Sequence, residues 1–213
     1  NWNLGVEATF TSPNYSANFF GYGNETINPN FINENTFDED YNRVKIKKAS
    51  FSPSGGNLQP WKIFIINDQS MQSFLDYQKK WNQPEVPEYL IYPQKLKEPY
   101  RTSRYEMGEL MYSFLGIDRE DKASRANQMM KNFEFFGAPV GLFCFIDRQM
   151  NQPQWSDLGM FLQSFMLLAQ EADLDTCAQE SWSLKHKMVS SYLNADENLM
   201  LFCGMAIGYQ NPD

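Results

Sequence analysis

Residues 52–64 read Ser-Pro-Ser-Gly-Gly-Asn-Leu-Gln-Pro-Trp-Lys-Ile-Phe and join a compact turn to a run of apolar residues. Pro53 fixes its own φ, and Gly55 and Gly56 permit positive φ, so the backbone can curl back on itself. Backbone N–H groups that point into one concavity suit a phosphate, a ribityl chain or a flat heterocycle. The same residues also fit an ordinary Pro/Gly loop ahead of a buried strand, and local chemistry leaves both interpretations open.

The composition is that of a folded domain with an acidic surface. The chain has 213 residues, of which 42% are hydrophobic and 15% aromatic, enough for one domain with a sizeable core. Its formal net charge is −8, and its basic residues cluster only around residues 45–48. We therefore expect no nucleic-acid partner. No apolar run approaches the roughly 20 residues of a membrane-spanning helix, so we also expect no membrane partner.

The cysteines and the histidine do not form a pattern that binds metal. Cys144, Cys177 and Cys203 are odd in number and widely spaced, which predicts buried, reduced thiols in a cytoplasmic protein. His186 is the single histidine, and we expect it on an exposed helix surface. No G-x-S-x-G motif surrounds Ser54, and no acid–base pair is recognisable, so we assign no catalytic residue and no metal ligand.

Hydrophobic periodicity predicts an α+β domain from residue 47 onward. Continuous apolar runs indicate buried strands at residues 63–66, 141–146 and 199–207. Helices are predicted at residues 68–80, 98–115, 119–136, 154–174 and 183–193. These elements fit a mixed central sheet flanked by helices.

Residues 1–46 differ from the rest of the chain. They are rich in Asn, Phe, Tyr and Gly, and they show short alternating segments with little helical periodicity. We therefore divide the chain into an atypical N-terminal β/loop segment, residues 1–46, and a domain at residues 47–213. The N-terminal segment resembles strands and loops of outer-membrane β-barrel surface-antigen proteins.

Residues 53–61, Pro-Ser-Gly-Gly-Asn-Leu-Gln-Pro-Trp, resemble the Pro-Ser-x-x-Asn-x-Gln-Pro-Trp signature of the nitroreductase family of flavoenzymes. Further segments follow in the family's order, at residues 99–105, 108–112, 132–143, 155–163, 176–182 and 203–209. The resemblance covers residues 49–213 and implies the nitroreductase fold.

This resemblance implies an FMN-dependent homodimer with flavin sites at the subunit interface. NAD(P)H would reduce the flavin and leave, and a nitroaromatic, a quinone or a similar small molecule would then take the electrons in a ping-pong cycle. In such an enzyme the flavin carries the chemistry, while the protein supplies binding, orientation and electrostatics. That division of labour agrees with a sequence that lacks a recognisable acid–base pair.

The same resemblance assigns ten residues to the cofactor site: Pro53, Ser54, Gly55, Asn57, Gln59, Asn132, Ala178, Gln179, Glu180 and Ser181. It implies that the turn at residues 178–181 lies along the isoalloxazine, with a backbone N–H near flavin N5. It also implies that Asn132 approaches the pyrimidine edge. Asp157 and Gln163 are expected to be a helix start and a packing position.

The sequence departs from the family pattern in two places. The Arg-Arg-Ser-x-Arg segment that binds the FMN phosphate is not found before Ala49, where the basic residues are Arg43, Lys45, Lys47 and Lys48. The chain also ends at Asp213, before a further arginine and an arm that wraps the partner subunit. Each lost charge-assisted hydrogen bond is worth about 1.5–3 kcal/mol. Two alternatives therefore stay open: a non-catalytic, flavin-free nitroreductase-like fragment, and an enzyme of the same superfamily with other flavin chemistry.

Overall fold

The computed structural model describes residues 46–209, and a four-stranded sheet lies at its centre. The strands are β1 Lys62–Asn67, β2 Val140–Asp147, β3 Asp175–Gln179 and β4 Leu199–Gly208. Their order is β1-β2-β4-β3, and all three pairings within residues 46–209 are antiparallel. The three predicted strands and the α+β class are confirmed. A parallel pairing, the other component of a mixed sheet, is not found in this part of the chain.

Within the described residues, five α-helices of eight residues or more surround the sheet: α1 Asp68–Lys80, α2 Tyr100–Phe114, α3 Lys122–Met130, α4 Gln152–Gln170 and α5 His186–Leu193. Residues 46–49 are also helical. Short 3₁₀ segments occur at Gly55–Asn57, Lys131–Gly137 and Glu180–Lys185. The predictions for residues 1–45, including the resemblance to β-barrel segments, lie outside the described residues.

Three of the predicted helices differ from the observed bounds by three residues or more at one end at least. The helix predicted at residues 119–136 stops at Met130, because Phe135 and Phe136 adopt left-handed φ values of 50° and 54°. The helix predicted to reach residue 174 stops at Gln170. The helix predicted from residue 183 begins at His186, after a 3₁₀ segment. By contrast, α1 begins as predicted, because Asn67 and Ser70 form a capping box.

Two helical layers bury the two faces of the sheet. Side chains of β2 alternate between them, as the period of two residues in a strand requires. Leu142 and Cys144 pack in one cluster with the apolar face of α4, which includes Phe161. Phe143 and Phe145 pack in the other cluster, with α1, α5 and the two longer 3₁₀ segments. The central strand β2 is therefore covered on both sides.

Two glycines of the sheet let aromatic rings lie directly against it. Trp182 and Phe135 are fully buried, and their ring centroids lie 4.7 Å apart. A Cβ atom on Gly204 would lie 2.2 Å from Trp182 Cδ1, and one on Gly141 would lie 2.5 Å from Phe135 Cζ. Only glycine allows this approach, so these positions in β2 and β4 fix where the 3₁₀ segments sit.

An ion-pair cluster holds the loop after α1 against the end of β2. The Glu88 side chain is 6% exposed, and its carboxylate lies 2.6 Å from Arg148 Nη1 and 2.5 Å from His186 Nδ1. The expectation that His186 is an exposed surface residue is wrong, because only 13% of its side chain is exposed. The histidine has a structural role in joining this loop to α5.

The cysteine prediction is confirmed for two of the three thiols. Cys144 and Cys203 are buried register partners on β2 and β4, and burial raises the pKa of the Cys203 thiol to about 12. Both therefore stay protonated at neutral pH. Cys177 is exposed on β3, so the expectation of burial is wrong there. No helix within residues 46–209 is both long and apolar enough to cross a membrane.

The glycine contact generates a stability prediction. Gly204→Ala should lower the free energy of unfolding by about 1–3 kcal/mol, because the new methyl group overlaps a ring that the core holds in place. Urea denaturation followed by tryptophan fluorescence measures this change. Gly108→Ala is the matched control, since nothing lies within 4 Å of its Cβ position and α2 gains helix propensity. Equal stability of the two variants would contradict the proposed packing.

Candidate functional site

Most backbone N–H groups of the loop that precedes β1 already donate hydrogen bonds to other groups of the protein. The Gly55 N–H donates to Asp157 Oδ2 at 3.2 Å, and the Asn57 N–H donates to the Ser54 carbonyl at 3.0 Å. The Gln59 N–H donates to Ser54 Oγ at 3.0 Å. Of the two interpretations that the sequence left open for this loop, the concavity of free backbone donors therefore does not apply to these three N–H groups.

The loop presents side chains to the outside instead. Pro53 and Asn57 are exposed, while Ser54 is half-buried and its hydroxyl hydrogen can still donate. Gly56, Asn57 and Gln59 adopt left-handed φ values of 59°, 57° and 47°, which turn the chain sharply at this point. What the loop offers a ligand is an amide, a hydroxyl and a pyrrolidine ring, all uncharged.

Helix α4 holds the loop from one side. Trp61 stacks on Phe161 with ring centroids 5.0 Å apart, and Ser52 Oγ lies 2.8 Å from Ser164 Oγ. Asp157 belongs to the same helix, and it is only 5% exposed. Asp157 lies inside α4, which begins at Gln152, so its assignment as a helix start is wrong. It is the site residue that sequence reasoning missed.

A separate group of predicted site residues forms at the end of β3. Gln179 is 2% exposed, and its Nε2 donates to the Asn132 carbonyl at 2.8 Å. Its Oε1 accepts a hydrogen bond from Trp182 Nε1 at 3.3 Å. The structure thus brings Asn132 and Gln179 together, but the Gln179 side chain faces the core. Any cofactor contact at this position would come from its backbone.

The segment predicted as a turn at residues 178–181 is the end of a strand followed by a 3₁₀ segment. Ala178 and Gln179 close β3, while Glu180 and Ser181 open the 3₁₀ segment. Ala178 and Glu180 are exposed on either side of the buried Gln179. The Ala178 side chain is small and exposed.

The ten predicted residues thus fall into two groups. We call Pro53, Ser54, Gly55, Asn57 and Gln59 the loop group, and Asn132, Ala178, Gln179, Glu180 and Ser181 the strand group. Within residues 46–209, no hydrogen bond or ion pair joins the loop group to the strand group. The expected packing residue Gln163 is exposed, so that assignment is wrong. The residues that the structure describes contain no cluster of His, Cys, Asp and Glu that could hold a metal ion.

The buried Gln179 generates a prediction. Gln179→Leu should lower the free energy of unfolding by about 2 kcal/mol or more, because it leaves the Asn132 carbonyl and the Trp182 indole N–H without partners. Thermal and urea unfolding measure the loss. Gln72→Leu, on the exposed side of α1, should change stability by less than about 0.5 kcal/mol. A neutral Gln179→Leu would show that the side chain does not hold the strand group together.

Comparison with known proteins agrees with this geometry. The model of the nitroreductase family matches residues 42–209. This match includes residues 42–46, which lie within the predicted N-terminal segment, and the division of the chain there stays a prediction.

Individual relatives are similar over most of the chain. A 4-nitrobenzoate reductase from Pseudomonas putida is 36% identical over 168 residues, which are 78% of this chain and 73% of that protein. A nitrobenzene nitroreductase from Ectopseudomonas oleovorans is 33% identical over 168 residues, 77% of this chain and 74% of that protein. The solved structure of the FMN and NADPH-dependent nitroreductase NfnB from Sphigopyxis sp. strain HMH has a TM-score of 0.77 and 38% identity, and the alignment covers 85% of this chain and 83% of that one. By family match, sequence identity and fold, the chain belongs to the nitroreductase family, as its Pro-Ser-x-x-Asn-x-Gln-Pro-Trp motif predicted.

Proposed function

We propose that this chain is an FMN-dependent oxidoreductase that takes electrons from NAD(P)H and reduces nitroaromatics, quinones or similar acceptors. The observation that carries the proposal is the loop group, which holds the family motif in a fixed turn and turns its polar side chains outward. Relatives at 33–36% identity are a 4-nitrobenzoate reductase and a nitrobenzene nitroreductase. Nitroaromatic acids and nitrobenzenes are therefore the acceptors to test first.

The described residues fit the ring system and the ribityl chain of FMN. Ser54 and Asn57 offer uncharged hydrogen-bonding groups that match a neutral polar ligand. Ala178 is small and exposed, and Gln179 and Asn132 fix the backbone around it. A phosphate fits less well at Gly55, because the carboxylate of Asp157 already occupies its N–H group.

Two lysines are candidates for the phosphate. Residues 46–49 are helical and lead directly into the loop, and Lys47 and Lys48 are both exposed there. An ammonium group binds phosphate as a point charge, so either side chain can contact the phosphate of FMN. We assign Lys47 and Lys48 to the phosphate on these grounds.

The mechanism requires little of the protein besides binding and positioning the cofactor and its substrates. FMN, when bound, supplies the hydride and electron transfer between the nicotinamide and the acceptor. The loop group would orient the cofactor through the Ser54 hydroxyl and the Asn57 amide. A backbone N–H of residues 178–181 would donate to the flavin N5 edge and stabilise the reduced form. No described side chain has to act as a general acid or base in this scheme.

We propose that the active form is a homodimer in which the two groups of one site come from different subunits. In support, no hydrogen bond or ion pair within residues 46–209 joins the loop group to the strand group. Large apolar side chains are also exposed around the loop and on α4, namely Phe51 at 60%, Leu58 at 48% and Leu167 at 62%. A second copy would remove them from water. Sedimentation should give a mass about twice the 24.8 kDa of one chain.

We also propose a cytoplasmic location. NAD(P)H is an intracellular electron donor, and the three thiols of the described residues are free. The relative from Sphigopyxis is an FMN and NADPH-dependent nitroreductase, so NADPH is the donor to compare first with NADH.

The loop group generates a binding prediction. The purified chain should quench FMN fluorescence at micromolar concentrations, turn yellow, and reduce 4-nitrobenzoate with NAD(P)H. Asn57→Ala should weaken FMN binding about tenfold, because it removes one hydrogen-bonding amide from the exposed tip of the loop. Asn82→Ala, an exposed asparagine after α1, is the matched control and should bind FMN like the unaltered chain.

The FMN titration also distinguishes the proposed enzyme from a flavin-free, non-catalytic protein of the same fold. A chain that stays folded by circular dichroism but shows no FMN binding well above micromolar concentrations would contradict the proposed function. That result would favour the flavin-free alternative, and the nitroreductase fold would be unaffected by it.

A further inference from the structure

We propose that Asp157 is the positioning residue of the flavin loop. Its carboxylate accepts a hydrogen bond from the Gly55 N–H and thereby fixes the turn that presents Ser54 and Asn57 to the cofactor. This inference rests on the proposed function, because it assumes that the loop binds FMN. It assigns a role in the site to a carboxylate that the sequence predicted only as a helix start.

The carboxylate of Asp157 lies directly against the loop. Asp157 Oδ2 lies 3.2 Å from the Gly55 nitrogen, and Gly55 is the first residue of the 3₁₀ turn Gly55–Asn57. A Cβ atom added to Gly55 would lie 3.9 Å from the same oxygen, so the carboxylate packs against the turn without a gap. The hydrogen bond is charge-assisted, which makes it stronger than a bond between neutral groups.

The surroundings of Asp157 show why the interaction matters. The residue is 5% exposed, and the α4 residues Leu158 and Phe161 on the same side of the sheet are fully buried. A carboxylate that is removed from water loses hydration and must regain hydrogen bonds from the protein. Among the described residues, the Gly55 N–H is the donor that the structure places on it.

The loop needs such a partner because its own backbone is strained. Gly56, Asn57 and Gln59 all have left-handed φ, and two of them carry side chains. Non-glycine residues occupy this region at an energetic cost and persist where the surroundings over-determine them. The hydrogen bond that the Gly55 N–H donates to Asp157 fixes the entry to the turn, and the one that the Gln59 N–H donates to Ser54 Oγ closes its exit.

The position of the charge also has a consequence for the ligand. With its N–H bound to Asp157, Gly55 offers no donor to a phosphate, and the negative charge beneath it disfavours an anion there. Asp157 thus directs the loop toward the uncharged part of the flavin and leaves the phosphate to basic groups elsewhere.

The test compares Asp157→Asn with Asp157→Ala. Asparagine keeps an acceptor oxygen at the same place, whereas alanine removes it. Amide hydrogen exchange of Gly55 without cofactor should be slow in the unaltered chain and in Asp157→Asn, and at least tenfold faster in Asp157→Ala. FMN affinity should fall about tenfold or more in Asp157→Ala and stay within about threefold in Asp157→Asn.

Asp147→Ala is the matched control, because its carboxylate also accepts a backbone N–H, that of Gln149, at the far end of β2. It should leave both Gly55 exchange and FMN affinity unchanged. Fast Gly55 exchange in the unaltered chain, or Asp157→Ala with unchanged exchange and affinity, would overturn the proposal. So would equal damage in Asp157→Asn and Asp157→Ala. Failure of the proposed function is distinguishable, because the exchange pattern would persist in a chain that binds no FMN.

Discussion

The structure depends on the burial of β2 on both of its faces. A strand whose side chains alternate between two cores needs a separate layer of helices on each side, and both layers are present here. On one side α4 covers the sheet, and on the other the aromatic rings of Trp182 and Phe135 press against glycines. Each layer also fixes one half of the candidate site. The site is therefore a direct consequence of how the sheet is covered.

Each layer that covers the sheet holds one half of the candidate site, and the two layers use different contacts to do so. On the α4 side, Asp157 and the stack of Trp61 on Phe161 hold the loop group. On the aromatic side, Gln179 connects Asn132 to Trp182, so that the strand group is part of the core network. Both halves present mostly uncharged groups outward, which suits a chemistry carried by a cofactor. Large apolar side chains are exposed around the loop, and the proposed dimer would bury them.

The sequence predicted the parts of this structure that have a strong local signal. The apolar runs of β1, β2 and β4 and the capping residue Asn67 gave correct elements, because burial and capping act over a few residues. It did not predict β3, since Asp175–Gln179 is short and mostly polar and depends on pairing with β4. Nor did it predict the break at Phe135, whose left-handed backbone is set by packing against the sheet.

The candidate site likewise has parts that the sequence predicted and parts that it did not. The motif identified the loop and the family correctly, because its glycines, prolines and asparagine are the residues that such a turn requires. It could not show that Gln179 faces inward or that Asp157 lies beneath Gly55, since both contacts join segments far apart in the chain. One signal for Asp157 was available: an acidic residue beside Leu158 in a helix whose apolar face was already evident.

The central claim is that one FMN site is built from the loop group of one subunit and the strand group of another. A crystal structure of the chain with FMN tests it most directly. We expect a dimer with the flavin ring between Ser54 and Asn57 of one subunit and residues 178–181 of its partner. A flavin bound by both groups of a single chain, or bound away from the loop, would contradict it.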